Sequence, residues 1–267
     1  MTDKPKRIVL ITGASGGIGL AAAKLFSAKG DRVYGMSRRP CPAAGVESVC
    51  ADVTDEEAVR AAVDDVVRRE GRLDVLICNA GFGISGAVEF TDGEDAKRQF
   101  DVNFFGTSNC IRAALPVMRR QHGGMIIVTS SVAGMLSIPF QAYYSASKAA
   151  LNSLVLAVAN EVRPYGINVA AIMPGDIKTG FTAARTKSDA GSGDYAALAK
   201  SVATMEHDEQ NGMSPEVIAR CMYSVSRKRR PKPLRSVGLQ YKACCLLGKL
   251  LPCRISNWIV GKMYASK

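Results

Sequence analysis

No aspartate or glutamate follows Glu216 in this 267-residue chain. Twelve of its 35 lysines and arginines do: Arg220, Arg227, Lys228, Arg229, Arg230, Lys232, Arg235, Lys242, Lys249, Arg254, Lys262 and Lys267. The overall charge of +11 therefore belongs to the C-terminal segment, while residues 1–216 come out at −1. Aromatics are few in that segment and no nucleic-acid motif appears, which argues against a nucleic-acid partner. No run reaches the roughly 20 apolar residues that a membrane span needs. The run Ile8–Ile11 is too short for the core of a signal peptide, so a cytoplasmic location is expected. None of the eight cysteines forms a Cys-x-x-Cys pair, which excludes the common zinc and dithiol motifs. They are expected to be small buried residues in a reducing compartment. Internal repeats and low-complexity tracts are also missing.

What is there alternates strand-like and helical stretches. That order predicts one domain over 1–267, a parallel sheet with helices on both faces. Arg7–Thr12 reads as a buried strand and runs into Gly13-Ala14-Ser15-Gly16-Gly17-Ile18-Gly19, then a helical run from Leu20 to Lys29. A strand, a glycine-rich turn and a helix start make a phosphate site, because backbone N–H groups and the helix dipole favour the anion. Arg32–Met36 is the second strand, and its end is where a nucleotide fold reads the ribose. Here the chain has Ser37-Arg38-Arg39 and no acid. A guanidinium fork suits a 2′-phosphate, so NADP(H) is expected; otherwise both arginines are solvated loop charges. Further strands are predicted at Val49–Val53, Leu73–Cys78, Met125–Thr129, Asn168–Met173 and Leu234–Val237. A capping box at Thr54–Glu57 opens a helix to Glu70, and Glu94–Gln121 reads as one long helix.

Tyr144 and Lys148 stand four residues apart on a helix predicted to run to about Arg163, so both reach into the same space. A phenol with its ordinary pKa of about 10 is a poor proton donor near neutrality. A cation beside it favours the phenolate and brings that value down. Taken alone, the spacing equally fits a surface tyrosine and lysine.

Together these motifs resemble the short-chain dehydrogenase/reductase family over about residues 7–180. Thr12 with Gly13, Gly17 and Gly19, Asn79-Ala80-Gly81, Asp101–Thr107, Ser131 thirteen residues before Tyr144, and Pro174-Gly175 carry the likeness. Cys78–Glu89, Asp101–Thr107 and Val128–Gly134 resemble the branch holding 17β-hydroxysteroid and retinol dehydrogenases. The resemblance implies an α/β, Rossmann-type doubly wound parallel sheet of about seven strands. It implies Tyr144 as general acid/base and Lys148 as the group that lowers its pKa and bonds the nicotinamide ribose. Ser131 would donate to the substrate oxygen, and Asn103 would anchor a proton relay. Ser130 and Tyr143 are left without a role. Asp52, with the Val53 backbone, would hold the adenine. Pro174, Gly175, Ile177 and Thr179 would fix the nicotinamide carboxamide. Cys78 departs from the family's commonest asparagine.

The resemblance further implies an oxidoreductase acting on a secondary alcohol or ketone of a bulky lipophilic molecule such as a steroid or bile acid. Met135–Phe140 is a candidate apolar wall; these residues would otherwise pack a neighbouring loop. A 3-oxoacyl-thioester reductase and a non-catalytic NADP-binding scaffold are the alternatives. A tail beyond the last strand disfavours the first, and the full Asn103, Ser131, Tyr144 and Lys148 set disfavours the second. Residues 187–212 are polar and glycine-rich and read as a mobile lid. Residues 239–267 read as a helical extension, with helices over Gln240–Leu251 and Cys253–Tyr264. Its apolar faces close the substrate pocket or a subunit contact, or else rest on an anionic membrane. A homodimer or homotetramer is expected from the family.

Overall fold

The computed structural model describes residues 6–191 and 193–265. Ser192, within the expected lid, and Lys267, within the basic segment, lie outside them. Seven strands form one sheet: β1 (Ile8–Thr12), β2 (Arg32–Ser37), β3 (Val46–Cys50), β4 (Val75–Cys78), β5 (Gly124–Thr129), β6 (Ile167–Met173) and β7 (Leu234–Ser236). All neighbouring pairs are parallel, in the order β3-β2-β1-β4-β5-β6-β7. The chain reverses direction across the sheet between β1 and β4. That crevice is where such folds take ligands, beyond the carboxyl ends of the strands.

The strands are apolar on both faces because both are covered. Ile8 and Leu10 of β1 enter one core, and Val9 and Ile11 the other. The first core lies under α2 (Glu56–Glu70), α4 (Gly106–Arg120) and α5 (Ala142–Glu161). The second lies under α1 (Gly17–Ala28) and α8 (Pro215–Ser226). Cys78 points into the first core, 2% exposed, against Cys110 of α4. Its departure from the family's asparagine is thus a change in packing.

Several expectations shift. The third strand lies at Val46–Cys50, three residues before its expected place. It is an edge strand, and its polar Glu47 and Ser48 hide it; Glu47 pairs with Arg32 and Arg69. Ala51-Asp52-Val53 leave the strand, with Asp52 Oδ1 accepting from the Thr54 amide at 3.0 Å and hydroxyl at 2.9 Å. With Thr54 engaged there, Asp55 becomes the N-cap of α2 and accepts from the Ala58 amide at 3.0 Å. The long helix is a rod made of α3 (Gly93–Phe100) and α4, joined by a π-helical turn at Asp101–Phe105. Such single π turns recur at functional sites.

The remaining helices are α6 (Phe181–Ala184), α7 (Leu198–Gln210), α9 (Leu239–Leu250) and α10 (Cys253–Tyr264). The expected lid is therefore half helix: Leu198, Ser201 and Met205 bury one side of α7, and only the stretch before it is glycine-rich loop. No described helix is long and apolar enough to cross a membrane.

The 3₁₀ turn Val132–Gly134 presses directly on α5. A Cβ on Gly134 would sit 2.7 Å from the Lys148 carbonyl carbon and oxygen. Gly134→Ala must push this turn off the helix that carries Tyr144. Overpacking of this kind costs about 1–3 kcal/mol, expected as a lower urea midpoint at unchanged slope. A midpoint equal to wild type would show that the contact yields freely.

Candidate active site

The site begins where β1 ends. Gly13 takes φ +65°, donates to the Met36 carbonyl at 2.9 Å, and lies so close to Ala80 that a Cβ would come within 2.9 Å of its Cα. The Thr12 hydroxyl accepts from the Asn79 and Ala80 amides at 2.8 and 2.9 Å, fastening β1 to β4. Gly16 caps α1 with no side-chain bond, and no acid stands in the first turn. The first N–H groups of α1 are thus left for an anion. A Cβ built on Gly16 meets nothing within 4 Å, so the backbone there opens onto free space. This cradle fits a pyrophosphate.

It opens into a cavity of about 720 Å³. Every residue expected to touch the cofactor lines it except Gly19. Gly19 instead packs its backbone onto Gly13 and the Asn79 amide, leaving no room for any side chain. The Asn79 side chain is likewise structural, donating to the Thr12 carbonyl at 3.3 Å and accepting from Thr129 at 3.1 Å. At the β2 end, the Ser37 hydroxyl donates to the Arg39 carbonyl at 2.5 Å. Arg38 is 81% exposed, its nearest charge being Asp52 at 3.9 Å. An exposed pair of this kind is worth at most about 1 kcal/mol. Arg38 is therefore free to turn to a phosphate.

Across the cavity, Tyr144 and Lys148 share one face of α5. The Lys148 Nζ lies 5.7 Å from the phenol ring centre and donates to the Thr129 carbonyl at 2.8 Å. Burial pushes the phenol up to about 12, with the Ser131 hydroxyl beside it acting in the other direction. Burial also pushes the lysine down to about 8. In the polypeptide alone, burial outweighs any lowering by Lys148, so Tyr144 keeps its proton through the neutral range. Ser131 accepts from the Ala133 amide at 3.1 Å and touches the Pro174 carbonyl at 3.5 Å.

Asn103 sits on the π turn, fully buried, but does not line the cavity. Its side chain clamps Phe82, accepting from the amide and donating to the carbonyl, each at 3.1 Å, and also donates to Ser147 at 3.1 Å. Its own carbonyl accepts from the Thr107 hydroxyl at 2.9 Å. Its visible work is to place the Gly81–Phe82 turn beside Lys148.

Several site residues escaped the sequence. The Ser130 hydroxyl, assigned no role, donates to the Lys148 carbonyl at 3.1 Å, and the Ser147 hydroxyl to the Tyr144 carbonyl at 2.7 Å. Buried Gln99 accepts from the Ile84 amide at 2.9 Å. The Tyr241 hydroxyl of α9 donates to the Asp176 carboxylate at 2.7 Å and accepts from its amide at 3.1 Å, with its ring over Gly175. A lone serine or tyrosine carries no spacing signal, so nothing local marks them.

The substrate end is walled by Leu136, Ile138, Phe181, Met205, Val260 and Met263. The rest of the expected wall, Met135, Ser137, Pro139 and Phe140, does not line it. Two carboxylates do: Asp176, raised by burial, and Glu209, held by the Thr182 hydroxyl at 2.6 Å and by buried Arg185.

A phosphate cradle opening onto a phenol and a buried ammonium defines an oxidoreductase that works on a dinucleotide. Residues 7–190 match the model of the short chain dehydrogenase family, and the chain belongs to that family, whose members bind nicotinamide cofactors. It is 41% identical over 236 residues to a 3-ketodihydrosphingosine reductase of Bacteroides thetaiotaomicron, covering 87% of this chain and 88% of that protein. It is 38% identical over 194 residues to human 17-beta-hydroxysteroid dehydrogenase type 1, covering 66% of this chain and 58% of that one. A short-chain dehydrogenase structure from Streptomyces avermitilis superposes with a TM-score of 0.84 at 31% identity, over 97% of each chain.

A pH dependence follows from Lys148. Its folded value lies below the ordinary lysine value, so its charge is present at neutral pH and is lost as pH rises through about 8. Tyr144 stays protonated over that range. Ketone reduction needs the phenol's proton and the neighbouring positive charge, so kcat/KM should fall about tenfold per pH unit above 8. A profile flat to pH 9.5 would show that the lysine charge is not needed.

Proposed function

We propose that this protein is an NADP(H)-dependent reductase of a ketone on a long-chain, amine-bearing lipid of the 3-keto sphingoid type. The observation that carries it is the composition of the substrate end: an apolar chamber beside Tyr144 that also holds Asp176 and Glu209. Glu209 is already paired with Arg185, so Asp176 is the carboxylate left to meet a cation, and a steroid offers an apolar body but no cation. A long-chain amino ketone offers both, and the Bacteroides relative named as a 3-ketodihydrosphingosine reductase supports this choice over the expected steroid or bile acid.

When bound, the nicotinamide supplies the hydride that reaches the carbonyl carbon. The cradle at Gly13–Ile18 would hold the pyrophosphate, Arg38 and Arg39 the 2′-phosphate, and Asp52 with Val53 the adenine. The turn from Pro174 through Thr179 would position the nicotinamide, and Lys148 its ribose. Tyr144 delivers its proton to the substrate oxygen as charge develops there. Ser131 donates a hydrogen bond to the same oxygen, stabilising it in the transition state. Lys148 stabilises the tyrosinate left behind. Asn103, Ser147 and Ser130 act by holding Phe82 and α5 in place. Apolar Phe105, the last residue of the π turn, and Leu156 of α5 stand exposed and offer a surface for a second copy, in keeping with a homodimer or homotetramer.

The experiment is an NADPH-oxidation assay against 3-ketodihydrosphingosine, steroid ketones and 3-oxoacyl thioesters. The sphingoid ketone should show the highest kcat/KM. Tyr144→Phe should bind NADPH as wild type does and lose turnover by at least about a thousandfold. Asp176→Asn should raise KM for the amino ketone roughly ten- to a hundredfold, the value of a charge-assisted hydrogen bond, and raise it far less for neutral ketones. Faster reduction of a steroid would overturn the substrate class; full activity of Tyr144→Phe would overturn the mechanism.

Cofactor choice is tested separately. Arg38→Asp should weaken NADPH binding by a similar factor and relieve the bias against NADH. A wild-type preference for NADH would refute the role given to Ser37, Arg38 and Arg39.

A further inference from the structure

The basic C-terminal segment divides into two places in the fold. The first place lies at the amino-terminal edge of the sheet. There Arg7, just before β1, bonds the Ser226 carbonyl at 3.1 Å and its hydroxyl at 3.1 Å. The run Arg227-Lys228-Arg229-Arg230 starts from that point. The second place begins beyond the carboxyl end of β7, where α9 and α10 cover the substrate end of the cavity.

These two helices are built inside out. Tyr241 and Cys244 of α9 and Val260 and Tyr264 of α10 face the cavity. The opposite side of α9 shows Leu239, Leu246, Leu247 and Leu250, 84, 58, 53 and 72% exposed. With Ala243 they recur at helical spacing, forming a stripe along the helix. On α10, Ile255, Trp258 and Ile259 are exposed too, Trp258 at 63%. Solvated helices do not present such faces without a partner. The charges beside them have one sign: Lys242, Lys249, Arg254 and Lys262, with no carboxylate in this part of the sequence. Lys262 lies 5.9 Å from the Trp258 ring centre, joining a cation to the aromatic that prefers a membrane–water interface.

We propose that α9 and α10 form a foot that seats this protein on an anionic lipid bilayer. The leucine stripe, Ile255, Trp258 and Ile259 enter the acyl–headgroup boundary, and the lysines and arginine meet anionic headgroups. Both helices have 12 residues, a length that lies in the interface and does not span it. A second protein surface would need acids to match these cations; an anionic leaflet supplies them. The inner side of the same helices walls the substrate end, so a lipid can reach Tyr144 without crossing water. Only this supply route rests on the lipid-ketone reading; the docking does not.

The test uses the full chain and no substrate. Trp258 is the single tryptophan, so its fluorescence reports the foot alone. Phosphatidylcholine vesicles containing phosphatidylserine should sediment the protein, and pure phosphatidylcholine vesicles should not. Each basic residue near such a surface is worth about a fivefold gain in binding, so raising the salt should weaken binding by more than tenfold. Trp258 emission should shift to the blue and be quenched by lipids brominated on the acyl chain. Leu247→Glu with Leu250→Glu should lose vesicle binding at least tenfold and keep wild-type NADPH affinity. The proposal is overturned by failure to sediment with anionic vesicles at low salt, or by binding that leaves Trp258 unquenched. It is also overturned if the double variant sediments as a smaller species, which would assign the face to a second copy of the chain.

Discussion

The ammonium of Lys148 is a cation buried at the carboxyl edge of the sheet, 5% exposed. Burying a charge is costly unless the surroundings hold it. Here one bond to the Thr129 carbonyl, at the very end of β5, offsets part of that cost, and burial still lowers the lysine to about 8. Much of the local architecture follows from keeping that bond. Gly81 leaves little room for a side chain, because a Cβ would sit 3.0 Å from the Asn103 oxygen that holds Phe82. Gly134 must lack one so that the turn after β5 can lie on the Lys148 backbone. Ser130 secures the carbonyl of the same residue. The π turn brings Asn103 to hold Phe82 from the other side.

The fold was legible to the extent that its strands are apolar on both faces. β1, β4, β5 and β6 carry side chains for two cores, and that leaves continuous runs of valine, isoleucine and leucine in the sequence. β3 lies earlier than expected because an edge strand need not be apolar: Glu47 and Ser48 stand side by side between its two valines. The site was legible where chemistry demands residue types at fixed separations, as in the glycine turn and the Tyr144–Lys148 pair. It was illegible where the role is geometric. Gly19 looks like a cofactor glycine and is a packing glycine, because sequence cannot show which backbone lies against it. Asp176 becomes part of the site through Tyr241, sixty-five residues away, and no local pattern connects the two. The titration of Tyr144 was likewise out of reach, since it depends on how deeply the phenol lies.

The C-terminal segment was read as one basic tail because charge counts have no geometry. In three dimensions it splits across opposite edges of the sheet. The helices that follow β7 have apolar character on both sides, the inner used by the cavity and the outer exposed. Both helices were legible in the sequence, within a residue of Leu239–Leu250 and at Cys253–Tyr264; which apolar side meets the cavity was not, because that depends on how they pack.

The bond between Tyr241 and Asp176 has a thermodynamic consequence. One hydroxyl both donates to and accepts from the turn that follows β6, and its ring occupies the space over Gly175. The position of the turn and the position of α9 are thereby linked. Where the linked pair can take more than one arrangement, free energies of binding to its two parts are coupled, and the coupling is reciprocal. Any contact that favours one position of α9 changes the affinity of whatever the turn holds. A ligand on the turn changes the strength of that contact by the same factor.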